Sequence, residues 1–188
     1  MADTSHSNRC EGDLRRFALD LYAAPGVESA CLCLQDEAGL DVCALLWRCW
    51  LAHRGLGETD AMMSGLVKAE HWQQEMTLPL RRRRRWLKTQ MSERPTLETL
   101  RTLLKKAELE SEMETLSQLE MLGTMAEPVA GDAFERVRQH YCFGDDVLND
   151  DTFNDDAFKD PARIARAARA LEVVIAAGRG AGTGSTTP

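Results

Sequence analysis

Five consecutive arginines, Arg81–Arg85, are the side chains of this sequence best suited to bind an anion. A run of guanidinium groups can neutralise phosphates or an anionic surface. On a helix, however, successive residues turn by about 100°, so five of them cannot share one face. We therefore expect some of the run to point inward. A candidate anion-binding set combines two arginines of the run with two residues that follow it: Arg82, Arg85, Trp86 and Lys88.

An arginine that points inward needs a carboxylate partner, because a buried unpaired charge costs several kcal/mol. The apolar residues at positions 76, 80, 87 and 91 define a stripe whose missing member is Arg83 or Arg84. Asp36 lies in the last turn of a predicted helix, where the helix dipole disfavours an acid by about 0.3–1 kcal/mol. Such a position suggests a compensating cation. We predict that Asp36 pairs with Arg84 or with Arg81.

Asp41 completes this candidate polar cluster of Asp36, Asp41, Arg81 and Arg84, but a structural role is favoured for it. It directly precedes the most apolar predicted helix. A carboxylate at that position accepts hydrogen bonds from the first free backbone amides and contributes about 1 kcal/mol. The sequence therefore predicts Asp41 as a helix cap.

Catalytic residues, metal ligands and cofactors are not predicted. Cys31 and Cys33 would project from nearly opposite sides of a helix, and Cys49 with His53 supplies only two ligands. The acidic segment 144–156 has the composition of a calcium loop, but it lacks the glycine and glutamate that an EF-hand requires at fixed positions. We interpret it as a solvated linker and leave cation binding there open.

Apolar residues recur with helical spacing along the chain and predict an all-α fold, an irregular bundle of about seven helices. The predicted organisation is one domain over residues 12–178, between disordered tails at 1–11 and 179–188, with no strand pair. The segment 42–53 is apolar around most of its circumference and is expected at the centre. A fifth helix is predicted to begin at Thr77, because Pro79 follows it closely.

After Pro95, a coiled-coil-like seam is predicted from the 3-4-3 spacing of its apolar residues, Leu97, Leu100, Leu104 and Ala107. The seam changes register near Ser111. A two-helix hairpin, or one helix that changes its packing partner, is therefore favoured over a straight rod.

The composition of the chain predicts its cellular location and the kinds of partner that it does not bind. The chain of 188 residues carries a net charge of −7, so it repels nucleic acid and anionic lipid outside the arginine run. Six cysteines without a recognisable secretory leader predict reduced thiols and a cytoplasmic location. The apolar stretches are too short to cross a bilayer, so no membrane partner is expected.

Three short stretches carry a resemblance to a known family. They read Leu-Gln-Asp at 34–36, Gly-Leu-Asp-Val at 39–42 and Trp-Leu-Ala at 50–52. Together they resemble a proteobacterial family of small helical proteins known only as a domain of unknown function. Where the family pattern has Asn after Asp-Val, this chain has Cys43. The resemblance implies a bacterial, cytoplasmic, helical protein and implies no activity.

Three functions remain open from the sequence. The favoured one is an adaptor or regulatory module that binds a protein partner, since methionine-rich stretches suit adaptable contacts. The alternative is nucleic-acid binding through the basic helix Arg81–Lys88, with Trp86 available to stack on a base. The third is a helical enzyme acting on an anionic substrate held by Asp36, Asp41 and the arginines. The partner's identity and the oligomeric state are left open.

Overall fold

The computed structural model describes residues 12–141 and 160–181. The predicted tail 1–11, the acidic segment 144–156 and the part of the C-terminal tail after residue 181 lie outside the described residues. The prediction of an all-α fold is confirmed. The described part contains eight α-helices: α1 Asp13–Tyr22, α2 Val27–Glu37, α3 Val42–His53, α4 Met63–Trp72, α5 Leu78–Gln90, α6 Glu98–Leu122, α7 Ala133–His140 and α8 Pro161–Gly180.

Within these described residues, no single helix is long and apolar enough to cross a membrane. The helices α1 and α2, which meet at 96°, satisfy the length and composition criteria only when they are taken together.

The chain forms two compact units. The first contains the described residues up to Glu58 and again from Ala126 onward, and the second is the intervening segment Thr59–Met125. That both units belong to one domain over residues 12–178 stays a prediction.

The first unit is built around α3. Its side chains Leu45, Trp47 and Cys49 have no exposed surface, and α1, α2, α7 and α8 all pack against it. Asp41 caps the helix, because its Oδ1 accepts the backbone N–H of Cys43 (2.8 Å) and of Ala44 (3.3 Å). The predictions of a central α3 and of its cap are therefore confirmed for this unit.

The last helix, α8, packs closely on α2, and one of its glycines is essential to its approach to α3 and α7. A Cβ atom at Gly178 would lie 2.9 Å from Cε1 of Phe134 and 3.6 Å from Cβ of Cys49. Real Cβ atoms do not come that close to a ring carbon, so the absence of a side chain lets the helices meet.

A short antiparallel strand pair contradicts the prediction that the chain has no strands. Strand β1 (Leu56–Gly57) pairs with β2 (Glu127–Pro128), and the N–H of Val129 donates to the carbonyl of Gly55 (3.1 Å). Two residues are too few to show the alternation that marks a strand in a sequence. The pair joins the two parts of the first unit at the point where the second is inserted.

The second unit is an antiparallel hairpin of two long helical segments. The fifth helix, α5, begins at Leu78, directly after the predicted boundary at Thr77, but a π-helical turn, Gln73–Thr77, connects it to α4 without a break in the helix. Instead of capping a helix, the Thr77 hydroxyl lies 2.7 Å from the hydroxyl of Ser111.

The other segment, α6, is one continuous helix of 25 residues, which makes the predicted two-helix hairpin after Pro95 wrong. The apolar register changes because the neighbour changes. Arg81 of α5 reaches Glu108, whereas a Cβ atom at Gly65 of α4 would touch Leu122. One helix that changes its packing partner, the other sequence-based alternative, describes α6.

We expect Gly178→Ala to lower the free energy of unfolding by about 1–2 kcal/mol, because overpacking against Phe134 outweighs the better helix propensity of alanine. Gly180→Ala is the matched control, since a Cβ atom there meets open space. It should leave stability unchanged or raise it slightly. Urea unfolding of both variants checks this, and equal effects would contradict the packing argument.

Candidate functional site

The interior of the second unit is largely polar. Its six buried polar or charged residues are Gln73, Thr77, Arg81, Glu108, Ser111 and Thr115. The indole N–H of Trp72 also donates to the backbone carbonyl of Ser111 (3.1 Å). Hydrogen bonds between side chains, rather than apolar contact alone, therefore join the two arms of this hairpin.

Glu108 is the centre of a buried ionic network. Its Oε1 accepts Nε of Arg81 (2.9 Å) and Nη2 of Arg84 (3.1 Å), its Oε2 accepts Nε of Arg84, and Glu112 accepts Nη2 of Arg81 (2.6 Å). Only 8% of the Glu108 side chain and 11% of the Arg81 side chain are exposed. Burial alone would raise the pKa of Glu108, but the hydrogen bonds and charges of Arg84 and Arg81 lower it.

These contacts confirm the prediction that some arginines of the run point inward, but they do not test the predicted partner Asp36. Arg81 and Arg84 do turn inward and take a carboxylate, while Arg83, the other candidate for the apolar stripe, is exposed. The carboxylates come from α6, which the sequence did not indicate. Asp36 and Asp41 belong to the first unit, and the pairing of Asp36 with Arg84 or Arg81 stays a prediction.

In the first unit, Asp36 and Asp41 make contacts that stabilise the ends of helices. The backbone carbonyl of Asp36 accepts Nη2 of Arg163 (3.1 Å), and the neighbouring Glu37 accepts Nε of the same arginine (2.9 Å). Asp41 caps α3. An arginine of α8 thus bonds at the carboxyl end of α2, where the helix dipole favours a cation.

The candidate anion-binding residues all lie on α5, but Lys88, two residues after Trp86, projects from nearly the opposite side of the helix. Arg82, Arg85, Trp86 and Lys88 are all exposed, and 59% of Trp86 is accessible. Arg82 and Trp86 are four residues apart and are therefore neighbours on one helix face. This surface combines a large ring with positive charge, and its ability to bind an anion stays a prediction.

Exposed apolar side chains are concentrated in the second unit. Among the described residues, nine of the large ones lie there and three lie in the first unit. The nine are Met63, Val67, Met76, Trp86, Leu100, Leu103, Leu109, Met121 and Met125. Part of the predicted seam on α6 is among them, since Leu100 and Ala107 are exposed while Leu97 and Leu104 are partly covered.

A second polar centre, in the first unit, was not predicted. Arg48 of α3 donates from Nε and Nη2 to the two oxygens of Glu58 (2.5 and 3.2 Å) and from Nη1 to the hydroxyl of Tyr141 (2.6 Å). Its guanidinium also lies 5.3 Å from the centre of the Tyr141 ring. The available signal was the arginine itself, in the middle of an otherwise apolar helix.

Burial sets the protonation of this centre. Burial raises the pKa of the Tyr141 hydroxyl, so it stays protonated and can accept from Arg48 while donating its own proton. Partial desolvation and the nearby charge of Arg48 lower the pKa of His140, and the charge of Glu58 opposes them. The net lowering favours the neutral imidazole at pH 7. The His140 and Tyr141 rings meet edge to face, with centres 4.7 Å apart.

A cavity of about 460 Å³ opens beside Arg48. Its charged and polar walls come from Arg48, Glu58, Arg136, Gln139 and His140, and its apolar walls include Leu51, Leu56 and Val137. The aspartates of the predicted polar cluster do not line it. Within the described ranges, 12–141 and 160–181, no three His, Cys, Asp or Glu side chains are grouped so that they could hold a metal ion.

The sequence model of one family matches the chain over residues 13–119, from the start of α1 to near the end of α6. The match covers more than half of the chain. The chain belongs to this family. It is described as a protein of unknown function, DUF2390. No curated protein and no solved structure is detectably similar to the chain. The DUF2390 match confirms the resemblance to a domain-of-unknown-function family, and a proteobacterial origin stays a prediction.

We expect Glu108→Gln to lower the free energy of unfolding by about 2–4 kcal/mol, because two arginines would lose their shared buried charge. Glu110→Gln is the matched control, an exposed glutamate on the same helix, and should change stability by less than about 0.5 kcal/mol. Urea unfolding at pH 7 measures both. A Glu108 variant as stable as its control would contradict the network's role.

The stability difference between the wild-type protein and Glu108→Gln should also depend on pH. Because the pKa of Glu108 is lower in the folded chain than its ordinary value of 4.5, the charged form stabilises the fold above that value. This contribution is lost as the pH falls through the lower, folded-state pKa. The stability difference between wild type and Glu108→Gln should therefore shrink as the pH falls below about 4. A difference that stays constant down to acid unfolding would contradict this.

Proposed function

We propose that this protein is a protein-binding module and that its second unit is the binding arm. The observation that supports this most directly is the inverted polarity of that unit. It buries six polar or charged residues but only five apolar side chains, while nine large apolar side chains are exposed. Large apolar groups on a surface are typical of an interaction site when they are clustered.

The first half of α6 offers such a cluster. Leu100, Leu103 and Ala107 follow the i, i+3, i+7 spacing of one helix face, and all three are exposed. Leu103 is 57% accessible and Leu100 47%. This is the outer edge of the predicted seam, so a helix of a partner can pack there by the same spacing that α6 uses inside the hairpin.

The ionic network fits this function because it adds fixed contacts between α5 and α6 in an arm that buries few apolar side chains. Glu108 holds two arginines of α5 at once, which fixes the register of α5 against α6. A surface that is held in place before binding loses less conformational entropy on binding. The apolar side chains can then face a partner.

A cytoplasmic setting agrees with the cysteines. Cys31, Cys33, Cys43 and Cys49 are all free thiols in the described part of the chain. Burial raises the pKa of Cys31 and Cys49 to about 12, so these two are unreactive.

Nucleic-acid binding is the second candidate, and the exposed Trp86 beside Arg82 favours it. Aromatic stacking contributes about 1–3 kcal/mol per base, and arginines neutralise phosphates. The net charge of −7 opposes it. Enzymatic action on an anionic substrate is supported less, because Asp36 and Asp41 do not line the cavity in the first unit.

Photo-crosslinking in the native host tests the proposal. A benzophenone amino acid replaces Leu103 in the full chain, and Thr102, exposed and polar on the same helix, is the matched control position. We expect one protein to crosslink at 103 and not at 102. In the purified pair, Leu103→Glu should then weaken binding by about tenfold or more, and Thr102→Glu should not.

Two results would overturn the proposal. One is crosslinking that does not differ between positions 102 and 103. The other is recovery of nucleic acid with the protein, together with binding that weakens steeply with salt and is lost in Arg82→Glu but kept in Leu103→Glu. That second result would establish the basic surface of α5 as the binding site.

A further inference from the structure

The cavity beside Arg48 has the size and lining of a small-molecule site. Its volume of about 460 Å³ lies within the usual range for ligand pockets, about 300–1,000 Å³. It is confined to the first unit and is therefore independent of the binding arm proposed above. We propose that it binds a small organic carboxylate carried on an apolar body.

The charges around the cavity favour a single negative charge in the ligand. Glu58 neutralises Arg48, since the two share a bidentate ion pair. Arg136 also lines the cavity and makes no hydrogen bond or ion pair to any residue in the described part of the chain. Among the described residues that line the cavity, the excess is therefore one positive charge. It belongs to a guanidinium whose donors are available for a planar carboxylate.

Neutral donors stand beside that guanidinium. Gln139 and His140 line the same cavity. A neutral imidazole and an amide can donate to a carboxylate without adding charge. Together with Arg136 they form a set of hydrogen-bond donors on one helix, α7. A cationic ligand would instead have to compete with Arg48 for Glu58.

The other walls call for an apolar group. Leu51, Leu56 and Val137 line the cavity, as do the small residues Ala52 and Ala133. A ring of the size of benzene can cover these side chains while its carboxylate stays near Arg136. Burial of that ring contributes by the hydrophobic effect, roughly in proportion to the area removed from water.

The site is held in shape by contacts that a ligand need not replace. Arg48 joins α3 to Glu58, which follows β1, and to Tyr141, which follows α7. These are the three elements that line the cavity. The walls are thus tied together by one largely buried side chain, and a ligand meets a preformed pocket.

The test compares three probes of one shape on the full chain: benzoate, benzyl alcohol and benzylamine. Isothermal calorimetry at pH 7.5 measures their affinities, and shifts of the arginine side-chain NMR signals locate the contact. We expect benzoate to bind with a millimolar or lower Kd and at least about tenfold more tightly than either other probe. Its affinity should fall about tenfold in Arg136→Met and stay within about twofold in Arg169→Met. Arg169 is an exposed arginine of α8 outside the cavity.

Both substitutions are at exposed positions, and an unchanged unfolding midpoint confirms that each variant is folded. Equal binding of benzyl alcohol would show that charge is not recognised, and preference for benzylamine would show that Glu58 selects the ligand. Either result would overturn the proposal. So would the absence of saturable benzoate binding, or equal losses in the Arg136 and Arg169 variants. None of these outcomes depends on whether α6 binds a protein.

Discussion

Arg48 lies in the middle of a helix that is otherwise apolar, and its charge has to be compensated inside the first unit. A buried guanidinium is tolerated only when its donors are paired. Glu58 and Tyr141 meet this requirement, and they come from segments that are far apart in the chain. The pairing of one cation therefore ties the residue after β1 and the residue after α7 to the same side chain of α3.

The second unit also has to pair buried arginines, but there the ionic contacts make up a larger part of the interior. In the first unit the ion pair of Arg48 with Glu58 lies beside a large apolar core. In the second, the network around Glu108 takes the place of much of that core. A buried ion pair adds little net stability compared with well-packed apolar groups, but it permits few alternative alignments. Two helices held in this way keep a defined register even though much of their apolar surface is exposed.

How far the sequence predicts this structure depends on the distance over which each feature is encoded. The burial of α3 and its cap at Asp41 are local patterns and were predicted. So was the inward turn of an arginine in α5, because helical geometry alone requires it. Its partner Glu108 is 27 positions from Arg81, and no local pattern distinguishes it from the other glutamates of α6.

The features that were missed share this long range. Arg48 and Tyr141 are 93 positions apart, and the strand pair joins residues on either side of the whole second unit. The position of Arg48 in an otherwise apolar helix is a signal that the sequence does contain. The contribution of α7 to the cavity wall could not have been inferred from it. The break in the apolar seam of α6 was detected from the sequence, which left two explanations open, and the structure selects a change of neighbouring helix rather than an end of the helix.

The pairing of β1 with β2 has a consequence for how the chain can vary. These strands bring the beginning and the end of the inserted segment together, and within that segment the Thr59 hydroxyl donates to the carbonyl of Met125 (3.2 Å). A segment whose ends are already joined can change length at small entropic cost, about 0.6 kcal/mol for each doubling. The hairpin is thus attached to the rest of the chain as a closed loop. A change in its length or outer surface therefore need not disturb the pairing of β1 with β2 or the contacts of the core around α3.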